Sequence, residues 1–315
     1  MPKWTAANIP DQTGRTIIVT GATSGLGYET ALALAAKGAN VTLAVRSVSR
    51  GAATRDRIVA AHPSAKVNVD DLDLADLSNV RAFAARWQGK PLDVLINNAG
   101  IMAVPYATTK DGFESQMGTN LLGHFVLTDG LLDSLLATTA PRVVTVSSMV
   151  HKSGKLETGS AVELIAKPDN YKTWTVYSNS KLADLLFALE LNRRAQRAHS
   201  PLISVAAHPG YAATNLQGGP GKAGGLWGAI SDVFMKIGNA VLGQSAANGA
   251  LPQLYAATMP DVVGGEYFGP DGPAEQRGGP KRVNPSKRAL DPELARKVWA
   301  TTVELTGADF SELGG

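Results

Sequence analysis

The sequence has no cysteine among its 315 residues. Disulfides, thiolate chemistry and cysteine-ligated zinc are therefore excluded. Its five histidines fall at no metal-ligand spacing, and no metal is expected. No apolar run reaches the ~20 residues needed to cross a bilayer. The opening MPKWTAANIPDQTGRT lacks the apolar core and cleavage signal of a leader, so a cytoplasmic protein is expected. Charge is almost balanced, with a formal net charge of +3 and no long basic run, which leaves no footprint for nucleic acid. No Pro/Gly/Ser-rich linker and no internal repeat divides the chain, so a single domain over residues 1–315 is expected. What is present is ordinary globular material, 44% hydrophobic and 18% charged, long enough for one large core.

Apolar, β-branched runs alternate with helical patterns. Strands are expected at 16–20, 40–45, 66–69, 93–97, 142–147, 202–207 and 265–268, and helices near 26–37, 49–61, 77–88, 112–137, 174–196, 245–257 and 292–306. Near-continuous apolar strands separated by helices indicate an α/β fold with a parallel sheet covered on both faces. Two segments break the rhythm. Residues 149–172 separate the fifth strand from the next helix. Residues 216–244 begin with a glycine-rich stretch and continue with Leu226, Ile230, Val233, Phe234, Ile237 and Val241 at helical spacing. That second segment reads either as a helix packed on the core or as a lid swinging on its glycines.

The chemistry-bearing residues gather at strand ends. The first strand runs into Thr20-Gly-Ala-Thr-Ser-Gly-Leu-Gly27, and a helix follows at once. Gly21, Gly25 and Gly27 allow a tight turn and close approach of backbone to an anion, with Thr23, Ser24 and Leu26 between them. After the first strand of a βα chain, this pattern indicates a dinucleotide site. The second strand ends at Arg46, with Arg50 four further on and no acid nearby. An acid there would bind a ribose 2′-hydroxyl, whereas an arginine suits a 2′-phosphate. Asp73-Leu74 follow the third strand, and Asn97-Asn98-Ala99-Gly100 end the fourth. Asn120 interrupts a helical stretch, Ser147-Ser148 end the fifth strand, and His208-Pro209-Gly210 with Thr214 follow the sixth. His208 reads as a turn residue, because no nucleophile or metal-ligand spacing surrounds it. Tyr177 and Lys181 lie four apart, so a phenol and an ammonium share one helix face. A nearby ammonium favours phenolate and suits the pair to proton exchange with an alcohol or carbonyl.

Together TGATSGLG, NNAG, the helical Asn120, the Ser-Ser strand end, YSNSK and HPG resemble the short-chain dehydrogenase/reductase family over about residues 14–215. GTNLLGHFVLT and SKLADLLFALEL are similar to its retinol-dehydrogenase-like branch, and FALELNRR, SVAAHPGYAATNLQ and GGEYFGPDG to soluble actinobacterial members of that branch. The resemblance implies a doubly wound, seven-stranded Rossmann sheet of order 3-2-1-4-5-6-7. It implies a catalytic tetrad of Asn120, Ser148, Tyr177 and Lys181. Ser148 would hold the substrate oxygen, Tyr177 would exchange its proton, Lys181 would bind the nicotinamide ribose and depress the Tyr177 pKa, and Asn120 would fix a relay water. Ser147 competes for the serine role, and family alignments favour the second of the pair. Cofactor contacts are implied at Gly21, Thr23, Ser24, Gly25, Leu26, Gly27, Arg46, Asp73, Leu74, Asn98, Ala99, Gly100, Tyr177, Lys181, Pro209, Gly210 and Thr214. The expected activity is NADP-dependent hydride transfer between the nicotinamide and an alcohol or carbonyl of an apolar substrate. Alternatives are C=C reduction, epimerisation, or a catalytically silent cofactor-binding or scaffold protein. Residues 149–172 are expected on the substrate side and 216–244 as the lid. A homodimer or homotetramer is expected through helices 112–137 and 174–196. Leu121, Leu122, Phe125, Leu185, Leu186 and Leu189 offer more apolar surface there than one core face requires.

Overall fold

The computed structural model describes residues 4–211 and 244–314. Its strands are β1 (Thr16–Thr20), β2 (Asn40–Val45), β3 (Lys66–Asp71), β4 (Val94–Asn97), β5 (Arg142–Val146), β6 (Ile203–Ala207), β7 (Tyr267–Pro270) and β8 (Pro280–Arg282). They join in one sheet of order β3-β2-β1-β4-β5-β6-β7-β8. All neighbours pair in parallel except β7 and β8. Among the described residues the sheet therefore has eight strands rather than the expected seven. Strand β8 is Pro-Lys-Arg, half-exposed at the sheet edge, and carries no apolar pattern that could announce it.

The inner strands bury side chains on both faces because helices cover both. In β1, Ile17 and Val19 enter one core and Ile18 the other; in β4, Val94 and Ile96 oppose Leu95 in the same way. One core takes in α1 (Gly25–Ala36), α2 (Val48–Ala61) and α10 (Leu251–Thr258), with α9 (Ala246–Gly249) packed against α1. The opposite core takes in α3 (Leu77–Ala85), α5 (Gly123–Gly130), α6 (Leu132–Leu136), α8 (Thr173–Arg197) and α11 (Pro292–Thr306). Between β1 and β4 the strand order reverses, which opens a crevice at the strand C-termini.

The expected helix over 112–137 is segmented. α4 (Ser115–Met117) leads into a π-type turn, Gly118–Leu122, before α5 and α6. Such turns widen a helix locally and are frequent at functional sites. The 149–172 segment folds as short turns around α7 (Ala161–Leu164). Its far end is pinned by the Tyr171 hydroxyl, which donates to Glu114 Oε1 at 2.9 Å. Its middle rests on α11, where the Thr301 hydroxyl donates to Gly159 O at 2.8 Å. The lid expected over 216–244 lies outside the described residues, Gln244 excepted.

The apolar residues on which pairing was expected are already covered. Leu121, Leu122, Phe125, Leu185, Leu186 and Leu189 are between 0 and 6% exposed within the single chain. Over Phe125 the cover is α11 and the tail behind it. Asp291 caps α11 by accepting from the amides of Glu293 and Leu294, Pro292 opens it, and Gly307 ends it in a left-handed turn. Its Trp299 ring lies 4.9 Å from Phe125, 5.9 Å from Phe187 and 4.6 Å from Phe310. The excess apolar surface read from the sequence is thus filled intramolecularly.

This aromatic cluster gives a direct test. Trp299→Ala should lower unfolding free energy by about 3–5 kcal/mol, the cost of deleting a large core aromatic. Urea unfolding measures it, and a loss below about 1 kcal/mol would show that α11 is not part of the core.

Candidate active site

The crevice between β1 and β4 is lined by backbone before side chains. Gly21 and Gly25 adopt φ of +68° and +56°. A Cβ on Gly21 would stand 2.9 Å from Ala99 Cα, and one on Gly27 would stand 2.5 Å from Gly21 O. Ser24 precedes α1 without capping it by its side chain, so the first amides of a 12-residue helix stay available. Both features fit an anion held by backbone N–H groups. Gly21, Thr23, Ser24, Gly25, Leu26, Gly27, Arg46, Asp73, Leu74, Asn98, Ala99 and Gly100 all line this one cleft. Ser47, Arg50, Leu72, Ile101 and Thr119 join them. Arg46 and Arg50 are exposed on its lip and form no ion pair with any described residue.

A polar chain fixes the wall of the cleft. The Thr20 hydroxyl accepts from the amides of Asn98 and Ala99, both at 2.9 Å. It also meets His124 Nε2 at 2.9 Å, while His124 Nδ1 lies 2.8 Å from Asn120 O. A carbonyl only accepts, so Nδ1 carries the proton and Nε2 accepts from Thr20. The Asn120 side chain accepts from Ile101 N at 2.9 Å and donates to Ile101 O at 3.0 Å and to Ser180 Oγ at 2.9 Å. Neither Thr20 nor His124 was singled out from the sequence. The signal for His124 was its place four residues after Asn120 in a segment that the fold buries.

Opposite this wall, α8 carries Tyr177 and Lys181 to the end of β5. Lys181 is 5% exposed, and its ammonium donates to Val146 O at 3.0 Å and to Asp184 Oδ2 at 2.7 Å. A Cβ on Gly100 would lie 3.6 Å from Lys181 Nζ, so the ammonium borders the cleft. Tyr177 is buried, and the Ser148 hydroxyl lies near enough to favour its ionised form. Burial raises its pKa, outweighing Lys181 and Ser148, which both lower it. Lys181 lowers the Tyr177 pKa as expected, but the desolvated phenol resists ionisation more than the cation assists it. The two serines part company. Ser147 is 2% exposed and donates to Lys181 O at 2.7 Å, which commits it to the helix backbone. Ser148 is half-buried beside Tyr177. Asn120, Ser148, Tyr177 and Lys181 therefore converge at one end of the crevice.

The remaining predicted residues lie on the next loop. Gly210 takes φ +67°, and a Cβ there would strike Gln276 O at 2.4 Å. Pro209 O accepts from Gln244 Nε2 at 2.6 Å. Thr214 lies outside the described residues. His208 is buried, and its Nδ1 accepts from Gly210 N at 3.2 Å, as expected of a turn residue. Its Nε2 stands 3.2 Å from Glu275 Oε2. Burial pushes its pKa down to about 4, so the ring is neutral near pH 7.

A Rossmann sheet with a glycine-lined cleft at its switch point and a Tyr/Lys pair beside it defines a class of nucleotide-dependent oxidoreductase. A short chain dehydrogenase family model matches residues 15–160. Retinol dehydrogenase 13 of Homo sapiens is 38% identical over 309 residues, covering 96% of this chain and 87% of that protein. Polyprenol dehydrogenase of Mus musculus is 38% identical over 315 residues, covering 98% and 88%. The chain belongs to the short-chain dehydrogenase/reductase family, in its retinol-dehydrogenase-like branch. Among solved structures, an uncharacterized protein from Mycobacterium Paratuberculosis superposes with a TM-score of 0.79 at 44% identity, covering 98% of this chain and 99% of that one. A structure described as a short chain dehydrogenase from Shigella flexneri 2a str. 301 complexed with NADP shares the fold, with a TM-score of 0.58 at 22% identity, covering 79% and 93%. Among the described residues, no helix is long and apolar enough to cross a membrane.

The neutral His124 predicts acid sensitivity. Burial pushes its pKa from 6.5 down to about 4. The unfolded chain therefore binds a proton that the folded chain refuses, and stability falls as pH drops from about 6.5 to about 4, by on the order of 3 kcal/mol. Urea unfolding at a series of pH values should show this loss, and His124→Gln should remove its share, leaving the part that comes from buried His208. Equal pH dependence in the two proteins would remove His124 as the cause.

Proposed function

We propose that this protein is an NADP-dependent dehydrogenase/reductase that interconverts an apolar alcohol and its carbonyl. The observation that carries this reading is the meeting of Ser148, Tyr177 and Lys181 beside a glycine-lined cleft, with Arg46 and Arg50 on its lip in no ion pair among the described residues. Bound NADP would supply or accept the hydride. The amides at the start of α1 and the glycine turn suit its pyrophosphate. Arg46, with Arg50 nearby, suits a 2′-phosphate through paired, charge-assisted hydrogen bonds.

The chain's own part is to place the substrate oxygen and move a proton. In reduction, Ser148 donates a hydrogen bond to the carbonyl oxygen and Tyr177 gives that oxygen its proton as charge develops. Oxidation runs the same steps backwards, with the Tyr177 phenolate taking the hydroxyl proton. The Lys181 ammonium stabilises that phenolate and faces the Gly100 side of the cleft. Asn120 braces the Ile101 segment against α8. The relatives named for retinol and polyprenol act on long apolar alcohols, which supports a substrate of that class.

Tyr177→Phe should lower kcat by about 10²–10⁴-fold while NADPH binding stays near wild type. Near-normal turnover would remove Tyr177 from the reaction, and a product lacking the alcohol/carbonyl change would favour C=C reduction or epimerisation.

Cofactor choice is read from Arg46. Its replacement, Arg46→Ala, should weaken NADPH binding about ten- to hundredfold, the worth of one charge-assisted contact, and leave NADH nearly unchanged. Fluorescence titration of both cofactors with both proteins checks this. A wild type that prefers NADH would overturn the assignment.

A further inference from the structure

Asp184 is the acid that the reading so far leaves without a task. It sits on α8 one turn beyond Lys181 and is 2% exposed. Its Oδ2 accepts from Lys181 Nζ at 2.7 Å, while its Oδ1 is buried with no hydrogen-bond partner among the described residues. A buried carboxylate with one oxygen unsatisfied is costly and calls for a reason.

The neighbouring polar groups cannot replace it. Asn120 spends its side chain on Ile101 and Ser180, and its carbonyl faces His124. Ser147 is spent on Lys181 O. From the elements packed around the pair, the titratable groups are His124 on α5, His151 in the turn after β5, and Tyr267 on β7. His124 and His151 are kept neutral by burial. Burial raises Tyr267 far above the usual phenol range, so it too is uncharged near pH 7. Asp184 is thus the local counter-charge to Lys181.

We propose that Asp184 is a positioning residue that holds the Lys181 ammonium toward the cleft and balances its charge beside Tyr177, keeping the phenol a proton donor over a wider pH range. This rests on the reading of Tyr177 as the proton-transfer group. Tyr177, Lys181 and Asp184 occupy successive turns of one helix, so the cation stands between phenol and carboxylate. The cation favours phenolate and the carboxylate opposes it. The directions agree: Lys181 pulls the Tyr177 pKa down and Asp184 pushes it up.

The test is a titration that needs no turnover. Ultraviolet difference spectra from pH 6 upward, with the Tyr177→Phe protein subtracted, report the Tyr177 phenolate. Asp184→Asn keeps shape and removes charge, so the midpoint should fall by about one pH unit. The alkaline limb of kcat/KM for carbonyl reduction should move down with it. Asp184→Ala serves as a second neutral variant if the first fails to fold, with the same downward shift expected. A midpoint that stays or rises in a folded neutral variant overturns the proposal, including when stability alone is lost. Should Tyr177→Phe retain turnover, the functional reading falls separately, because the spectroscopic midpoint still answers for Asp184.

Discussion

The site is organised around one buried ammonium. Moving Lys181 out of water carries a large penalty unless its charge is matched and its N–H groups are bonded. Two acceptors meet that demand from different parts of the chain: Val146 O at the end of β5 and Asp184 on the same helix. The first bond ties α8 to the sheet and the second keeps the side chain extended. The Tyr177 phenol, one turn earlier, is then placed by the same ties. Displacing α8 along its axis would break the Lys181–Val146 bond and strand the charge, so the helix has one acceptable register.

The facing wall obeys a similar constraint. The π-type turn at Gly118–Leu122 leaves the Asn120 carbonyl to the His124 ring rather than to a backbone amide alone. His124 passes the constraint to Thr20, which accepts from the Asn98 and Ala99 amides. A helix, the end of β1 and the loop after β4 are thereby held by one neutral imidazole. The arrangement requires that ring to stay uncharged, since a proton on Nε2 would face the Thr20 hydroxyl proton.

Much of this was legible in the sequence. Apolar runs located the inner parallel strands, since strands buried on both faces must be apolar throughout, while β3 showed only the alternation of a partly covered edge. Glycines at 21, 25 and 27 located the cleft, because close backbone approach excludes a side chain. What escaped was long-range. Nothing local in Phe125 or Leu185 says whether a second chain or α11 will cover it, and α11 arrives from more than 100 residues away. The net balance of the Tyr177 shift was out of reach for the same reason. Spacing shows that Lys181 is near, but burial, the larger effect, depends on what packs around the helix. Asp184 is one of two acids in a largely apolar stretch of helix, and only burial makes it a partner rather than a solvated charge.

The paired residues at the strand ends show how such ambiguities resolve. Successive residues on a strand face opposite sides. In β5, Val143 enters the core beneath α8 and Val144 the opposite core. Ser147 keeps the parity of Val143 and bonds the α8 backbone. Ser148 lies past the last paired residue, where the chain turns and its hydroxyl can meet Tyr177. Asn97 and Asn98 divide likewise. Asn97 keeps the parity of Leu95 and donates to Thr128 on α5 at 3.1 Å, whereas Asn98 turns to the cleft and donates to Thr20 O at 2.8 Å. Each doublet thus sends one side chain to hold a helix and the next to the crevice. Residue type could not separate the members of either pair, and pleat parity counted from the core residues does.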